Sequence, residues 1–132
     1  MKTHEISIRI RYGETDQMGV VYHGNYAQFL EMGRVEWLRN IGISYRSMEE
    51  EGIMLPVVSL KLDYKKPARY DDVIRVVTSL RSEPGVKIEF DYEILGKNDE
   101  VLTLGNTVLV FVDKRTGKPM RCPGHILEKI RE

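Results

Sequence analysis

GETDQMGVVYHGNYAQFLEMGRVEWLRNI, residues 13–41, sets a glycine-rich polar loop in front of a long amphipathic run. In the second half Tyr26, Phe29, Leu30, Gly33, Trp37 and Ile41 share one helical face. That spacing predicts a helix of about four turns. Asn25 stands where an N-cap belongs, with Gln28 three residues on, as in a capping box. Gly42 can close the helix in the left-handed conformation. Gly33 lies in the middle of the apolar face, where glycine costs about 1 kcal/mol relative to alanine. Close approach of another backbone, such as a sheet wrapped around the helix, is the expected compensation. The loop itself carries two acids, Glu14 and Asp16, and one histidine, His23. Asp, Gly and Asn serve ordinary turns, so Asp16 read alone suits an Asx-turn as well as it suits chemistry.

Outward from this stretch the chain reads as β. Ile6, Ile8, Ile10 and Tyr12 alternate with Ser7, Arg9 and Arg11, which predicts a half-buried strand over 6–12 with Tyr12 on its core face. Ser44 to Glu51 reads as a second, short helix ended by Gly52, its three glutamates forming a solvated face. Alternation returns at Val58, Leu60, Leu62 and Tyr64, at Ile74, Val76, Thr78 and Leu80, and at Val86, Ile88, Phe90, Tyr92 and Ile94. Residues 101–112 become apolar on both faces near their end, as in a central strand or one at a subunit contact. Turns are marked at 68–72, 84–85, 96–99 and 115–119. The order is strand, long helix, short helix, four strands and a terminal helix. One helix covers one face of such a sheet, so exposed edges are expected to pair with another copy.

The 132 residues argue for a single domain over 1–132. Hydrophobic content of 42% and charged content of 30% are those of a soluble globular protein, and no run reaches membrane-spanning length. The first residues have no apolar core of a signal peptide. Twenty basic and twenty acidic residues cancel, which argues against a general nucleic-acid binder. The one cysteine, Cys122, excludes an intrachain disulfide and suits a reducing cytoplasm. Cys122 and His125 have C-x-x-H spacing without a second pair. His4, His23 and His125 are scattered, so no metal site is expected.

The motif Tyr12, Thr15, Asp16, Gly19, Val20, Val21, Tyr22, His23, Tyr26, followed by Glu31, Arg34, Trp37 and Leu38, resembles the signature of the hotdog-fold acyl-CoA thioesterases of the 4-hydroxybenzoyl-CoA thioesterase class. It looks most like the branch associated with Tol-Pal clusters. The stretch LDYKKPARYDD, residues 62–72, resembles the family's second segment. The resemblance implies an α+β hotdog fold, a five-stranded antiparallel sheet around one long helix, in homodimers that often pair into homotetramers. It implies an acyl-CoA substrate, no separate cofactor (coenzyme A being part of the substrate), and no membrane insertion.

Hydrolysis of a thioester needs a nucleophile or base near the carbonyl and donors where the oxyanion develops. A helix N-terminus supplies such donors as unpaired N–H groups. Here that end lies near His23, Gly24 and Asn25. By resemblance Asp16 is the catalytic carboxylate, as nucleophile or as base toward a water. The backbone N–H at His23 polarises the carbonyl, and the His23 ring orients the carboxylate or moves a proton. Tyr12 also matches, as a donor into the site or as a core tyrosine. Gly19 is expected to bend the loop toward the helix end. Lys65, Lys66 and Arg69 beside one turn, and Arg81 and Lys87 flanking another, are the candidates for the coenzyme phosphates. Glu83-Pro84-Gly85 departs from the family here, since an acid disfavours a phosphate. An acyl-carrier-protein thioesterase and a non-catalytic acyl-thioester-binding module are the alternatives. A hydratase would show an H-F-P-G-type motif, which is missing.

Overall fold

The computed structural model describes residues 2–132. The elements are β1 (Thr3–Arg9), α1 (Tyr26–Asn40), α2 (Tyr45–Glu50), β2 (Ile53–Met54), β3 (Val57–Tyr64), β4 (Val73–Leu80), β5 (Lys87–Leu95), β6 (Val101–Val110), β7 (Val112–Asp113) and α3 (Gly124–Arg131). Five strands form one antiparallel sheet in the order β1-β4-β5-β6-β3, and β2 pairs with β7 in a separate two-stranded ribbon. With α1 on its inner face, this is the α+β hotdog arrangement.

The inner face follows the alternation. Ile74, Val76, Thr78 and Leu80 of β4 and Ile88, Phe90, Tyr92 and Ile94 of β5 are all buried. Trp37 stands edge-on to Phe90, ring centroids 5.1 Å apart. Gly33 presses on β4: a Cβ there would lie 2.5 Å from Thr78 Oγ1 and 2.8 Å from Val76 Cγ1. The expected close approach therefore explains this glycine. On the sheet side a glycine answers in kind, because a Cβ on Gly105 would meet Leu30 Cδ1 at 2.9 Å. Gly42 and Gly52, at φ +85° and +81°, end the two helices in the left-handed region.

Arg34 of α1 is only 6% exposed. Its Nε donates to the Tyr45 hydroxyl at 3.2 Å, which ties α2 to α1. Tyr92 and Thr107 share a buried hydroxyl–hydroxyl bond of 2.6 Å, and burial pushes the Tyr92 phenol up to about 12. The terminal helix α3 buries Ile126 and Ile130, and Lys2 Nζ donates to Lys129 O.

Three expectations need correction. First, β1 ends at Arg9 rather than running to Tyr12. Ile10 still points into the core, but its N–H goes to Asp72 O (2.8 Å) and the chain then turns. Arg11 N donates to Glu14 Oε1 at 2.7 Å, closing a 3₁₀ turn over Tyr12–Glu14. Tyr12 is thereby thrown outward, 78% exposed, edge-on to Tyr70. Second, Asn25 is helical (φ −84°, ψ −14°) and makes no side-chain cap. A 3₁₀ turn over His23–Asn25 runs straight into α1 instead, so Gln28 closes no capping box. Third, six strands and not four follow α2, because Ile53–Met54 and Val112–Asp113 pair as a short ribbon with no alternation long enough to announce it.

Candidate active site

The loop 13–25 is a compact hairpin rather than a loose connection. Asp16 N donates to Val20 O (2.8 Å), Gly19 N donates to Asp16 O (3.0 Å), and Gly19 makes the bend at φ +79°. Thr15 bridges Val21, and Val20 bridges Arg69. Val21 N donates to Ala68 O at 2.8 Å, so the hairpin is pinned to the turn before β4. Its junction with the helix rests on one carbonyl. Glu14 O accepts from Tyr22 N at 2.9 Å and from Asn25 Nδ2 at 2.9 Å. That pair of bonds holds the Asp16 hairpin against the start of α1. Asn25 thus serves the loop, where it was expected to serve the helix.

The helix start leaves donors free. Asn25 N reaches Tyr22 O, and Tyr26 N reaches His23 O. Among the described residues no backbone acceptor takes the N–H of His23 or of Gly24. A Cβ on Gly24 would collide with the Tyr22 ring at 2.6 Å, so the turn packs closely enough to require glycine. Two adjacent N–H groups at the positive end of a fifteen-residue helix are the kind of donor pair that favours an anion or a carbonyl oxygen.

Asp16 is exposed, and its Oδ1 accepts from Met18 N (2.9 Å) and Val20 N (3.4 Å). The Asx-turn is therefore real. It occupies one oxygen, and no protein donor takes Oδ2 among the described residues. The His23 ring leans on Tyr22, centroids 4.4 Å apart. No hydrogen bond joins it to the Asp16 carboxylate.

The candidate cations fall into two groups. Lys65 and Lys66 line a cleft of about 250 Å³ with Val21, His23, Tyr26, Tyr64 and Pro67. Each is paired: Lys65 with Asp63 at 2.9 Å, Lys66 with Glu100 at 2.5 Å. Arg69 sits beside this cleft, bridged to Val20 through its backbone. Arg81 and Lys87 lie at the other end of the sheet. The eight residues of β4 put about 26 Å between that end and the hairpin. Arg81 is also engaged on the outer face, by Asp91 at 2.9 Å and Glu89 at 3.2 Å. Glu83 pairs with Arg131, whose guanidinium holds the carboxyl below its ordinary range. The acid expected to repel a phosphate is thus neutralised within the chain.

Two site residues escaped the sequence. Glu14 is buried, and its carbonyl is the junction described above; its spacing from Arg11, a capping pair, was the available signal. Tyr64 donates from its hydroxyl to His23 O at 3.2 Å. Its place in the alternating run 58–64 was the available signal. No group of three or more His, Cys, Asp or Glu among the described residues could hold a metal ion. No helix among the described residues is long and apolar enough to cross a membrane.

A free helix-end donor pair, joined through Glu14 O to the hairpin that carries Asp16 on a hotdog sheet, is an arrangement suited to acyl transfer. Comparison with known proteins agrees. The chain is 36% identical over 121 residues to the putative acyl-CoA thioesterase YneP of Bacillus subtilis, covering 92% of this chain and 88% of that protein. It is 30% identical over 125 residues to the acyl-CoA thioester hydrolase YbgC of Escherichia coli, covering 95% and 93%. Among solved structures it superposes on a DHNA-CoA thioesterase from Staphylococcus aureus with a TM-score of 0.87 and 38% identity, covering 92% and 81%. Residues 10–130 match the Thioesterase-like superfamily. The chain therefore belongs to the thioesterase-like superfamily of thioester hydrolases.

Proposed function

We propose that this chain hydrolyses an acyl-CoA thioester to the free acid and coenzyme A. The observation that carries the reading is the Glu14 carbonyl junction, which sets the Asp16 hairpin against a turn with two free N–H groups. The thioester oxygen would accept from the His23 and Gly24 N–H groups, which are already oriented and need no reorganisation as charge develops. The free Oδ2 of Asp16 would attack the carbonyl carbon, or take the proton of a water that does so. On the first route the bond to Oδ2 replaces the C–S bond, and a water then hydrolyses the resulting anhydride to the free acid and Asp16. On the second the water oxygen itself replaces the sulfur. On both, the leaving thiolate takes up a proton that the water supplies. No strong acid is needed, because the parent thiol has a pKa near that of cysteine, about 8.5.

The match at His23 and over Glu31, Arg34, Trp37 and Leu38 supports placement in the Tol-Pal-linked branch. The uncovered apolar face of β3 supports a homodimer or homotetramer. A cytoplasmic setting fits the single cysteine.

The test is thiol release over short, medium, long and aromatic acyl-CoAs and one acyl carrier protein thioester, with Asp16→Asn as control. Asparagine keeps an Oδ1 to accept from Met18 and Val20, so the variant should keep its melting temperature. It should lose about 10²–10⁴-fold in kcat, the usual contribution of a positioned catalytic carboxylate. An Asp16→Asn protein as active as the parent would overturn the mechanism. Binding without turnover across the panel would move the reading to an acyl-thioester-binding module. Turnover of the carrier-protein thioester alone would move it to that carrier.

A further inference from the structure

We propose that Tyr64 is a positioning residue that polarises the His23–Gly24 peptide and so strengthens the Gly24 N–H as a donor; its relevance to catalysis rests on the thioesterase reading above. The His23 carbonyl and the Gly24 N–H are the two ends of one planar peptide unit. That carbonyl accepts twice, from Tyr26 N at the first turn of α1 and from the Tyr64 hydroxyl at 3.2 Å. Each bond received at the oxygen draws electron density from the nitrogen, so the free N–H at the far end becomes a better donor. The amide thus strengthened is one of the two with no backbone acceptor at the helix start.

The hydroxyl is delivered by the sheet and not by the loop. Tyr64 is the last residue of β3, in register with Thr103 of β6. Its ring stands edge-on to Tyr26, centroids 5.2 Å apart at 66°. Tyr26 is only 3% exposed and anchors the first turn of α1 in the core. One strand end therefore braces the helix start with its ring and the turn with its oxygen. The ring contributes packing, and the oxygen contributes the electronic effect. Phenylalanine separates the two.

The experiment uses the full chain labelled with nitrogen-15, as parent, Tyr64→Phe and Tyr64→Leu. In Tyr64→Phe the Gly24 amide proton is expected to move upfield, while amides in β4 and β5 stay in place. With the best acyl-CoA of the panel, kcat is expected to fall about threefold to tenfold, the equivalent of one hydrogen bond, with KM within about twofold. Tyr64→Leu also removes the ring, and is expected to add a rise in KM and a lower melting temperature. An unmoved Gly24 amide in Tyr64→Phe overturns the proposal. So does an unchanged kcat, or a change confined to KM. If the parent releases no thiol from any substrate, the hydrolase reading fails on its own. The amide shift, measured without substrate, then still decides whether Tyr64 polarises this peptide.

Discussion

β5 and β3 carry the same pattern and meet different fates. Ile88, Phe90, Tyr92 and Ile94 on β5 face inward and are buried. Leu60, Leu62 and Tyr64 on β3 face the same way, by register with Thr107, Gly105 and Thr103 of β6. Yet Leu60 is 44% exposed and Tyr64 48%. A helix is about 10 Å across and strands lie about 4.8 Å apart, so α1, seated mainly on β1 and β4, covers that side of the sheet and stops short of the β3 edge. Alternation reports which face a residue takes. Distance from the one helix decides whether that face is closed. The closed side supplies the stability, and the open side holds the cleft, Tyr64 and the helix start.

The sharpest way to break this contrast is on the closed side. Phe90→Ala removes a fully buried ring from against Trp37 and should cost about 3–5 kcal/mol in urea unfolding. A loss below about 1 kcal/mol would mean that the roof is not packed as described. Gly33→Val tests the contact between α1 and β4 and should cost about 1–3 kcal/mol, because Val76 and Thr78 must give way.

The closed side also predicts a pH dependence. Burial raises the Tyr92 phenol to about 12 and the Cys122 thiol to about 11. Both are held in their protonated, neutral forms by the fold. Their contribution is complete below the ordinary values and is lost as pH rises through the raised ones. Urea midpoints should therefore be flat up to pH about 8.5 and fall as pH climbs toward 12, first through the thiol and then through the phenol.

On the open side the effects are smaller and chemical. His23→Ala keeps the backbone N–H and should lower kcat less than about tenfold, under about 1.4 kcal/mol of barrier. A loss as deep as that of Asp16→Asn would make the ring a direct participant. Leu60→Ser should change the unfolding free energy of dilute protein by less than about 0.5 kcal/mol, as at an ordinary surface position. The same variant should lower the sedimenting mass at high concentration toward one chain. An unchanged mass would remove β3 as the meeting edge.

Much of this fold was legible locally. The period of α1, the faces of β4 and β5, and the ends of both helices at Gly42 and Gly52 were all readable. So was the close approach at Gly33, because a glycine weakens a helix and is kept on its apolar face where a neighbouring backbone leaves no room for a side chain. Asn25 misled because a cap and a loop clamp draw on the same side-chain amide, and only the position of Glu14 O separates them. Tyr12 misled because alternation continues past the point where pairing stops. The strand ends where β4 begins its turn at Asp72, about sixty residues away in sequence. Of the site, Asp16, Gly19 and the helix start were visible in the motif, while Glu14 and Tyr64 were not singled out.

The sequence by itself determined the elements, their buried faces and the thioesterase-like motif. These depend on repeats of two and of 3.6 residues and on local turn chemistry, all written within a few neighbours. Only the tertiary structure decided that Tyr64, forty-one residues from His23, reaches its carbonyl. It also decided that Arg81 and Lys87 stand at the far end of the sheet from Asp16, and that Glu83 is neutralised by Arg131. Hydrogen bonds and ion pairs between distant segments carry no period. They exist only once sheet register and helix placement have brought their atoms within about 3 Å.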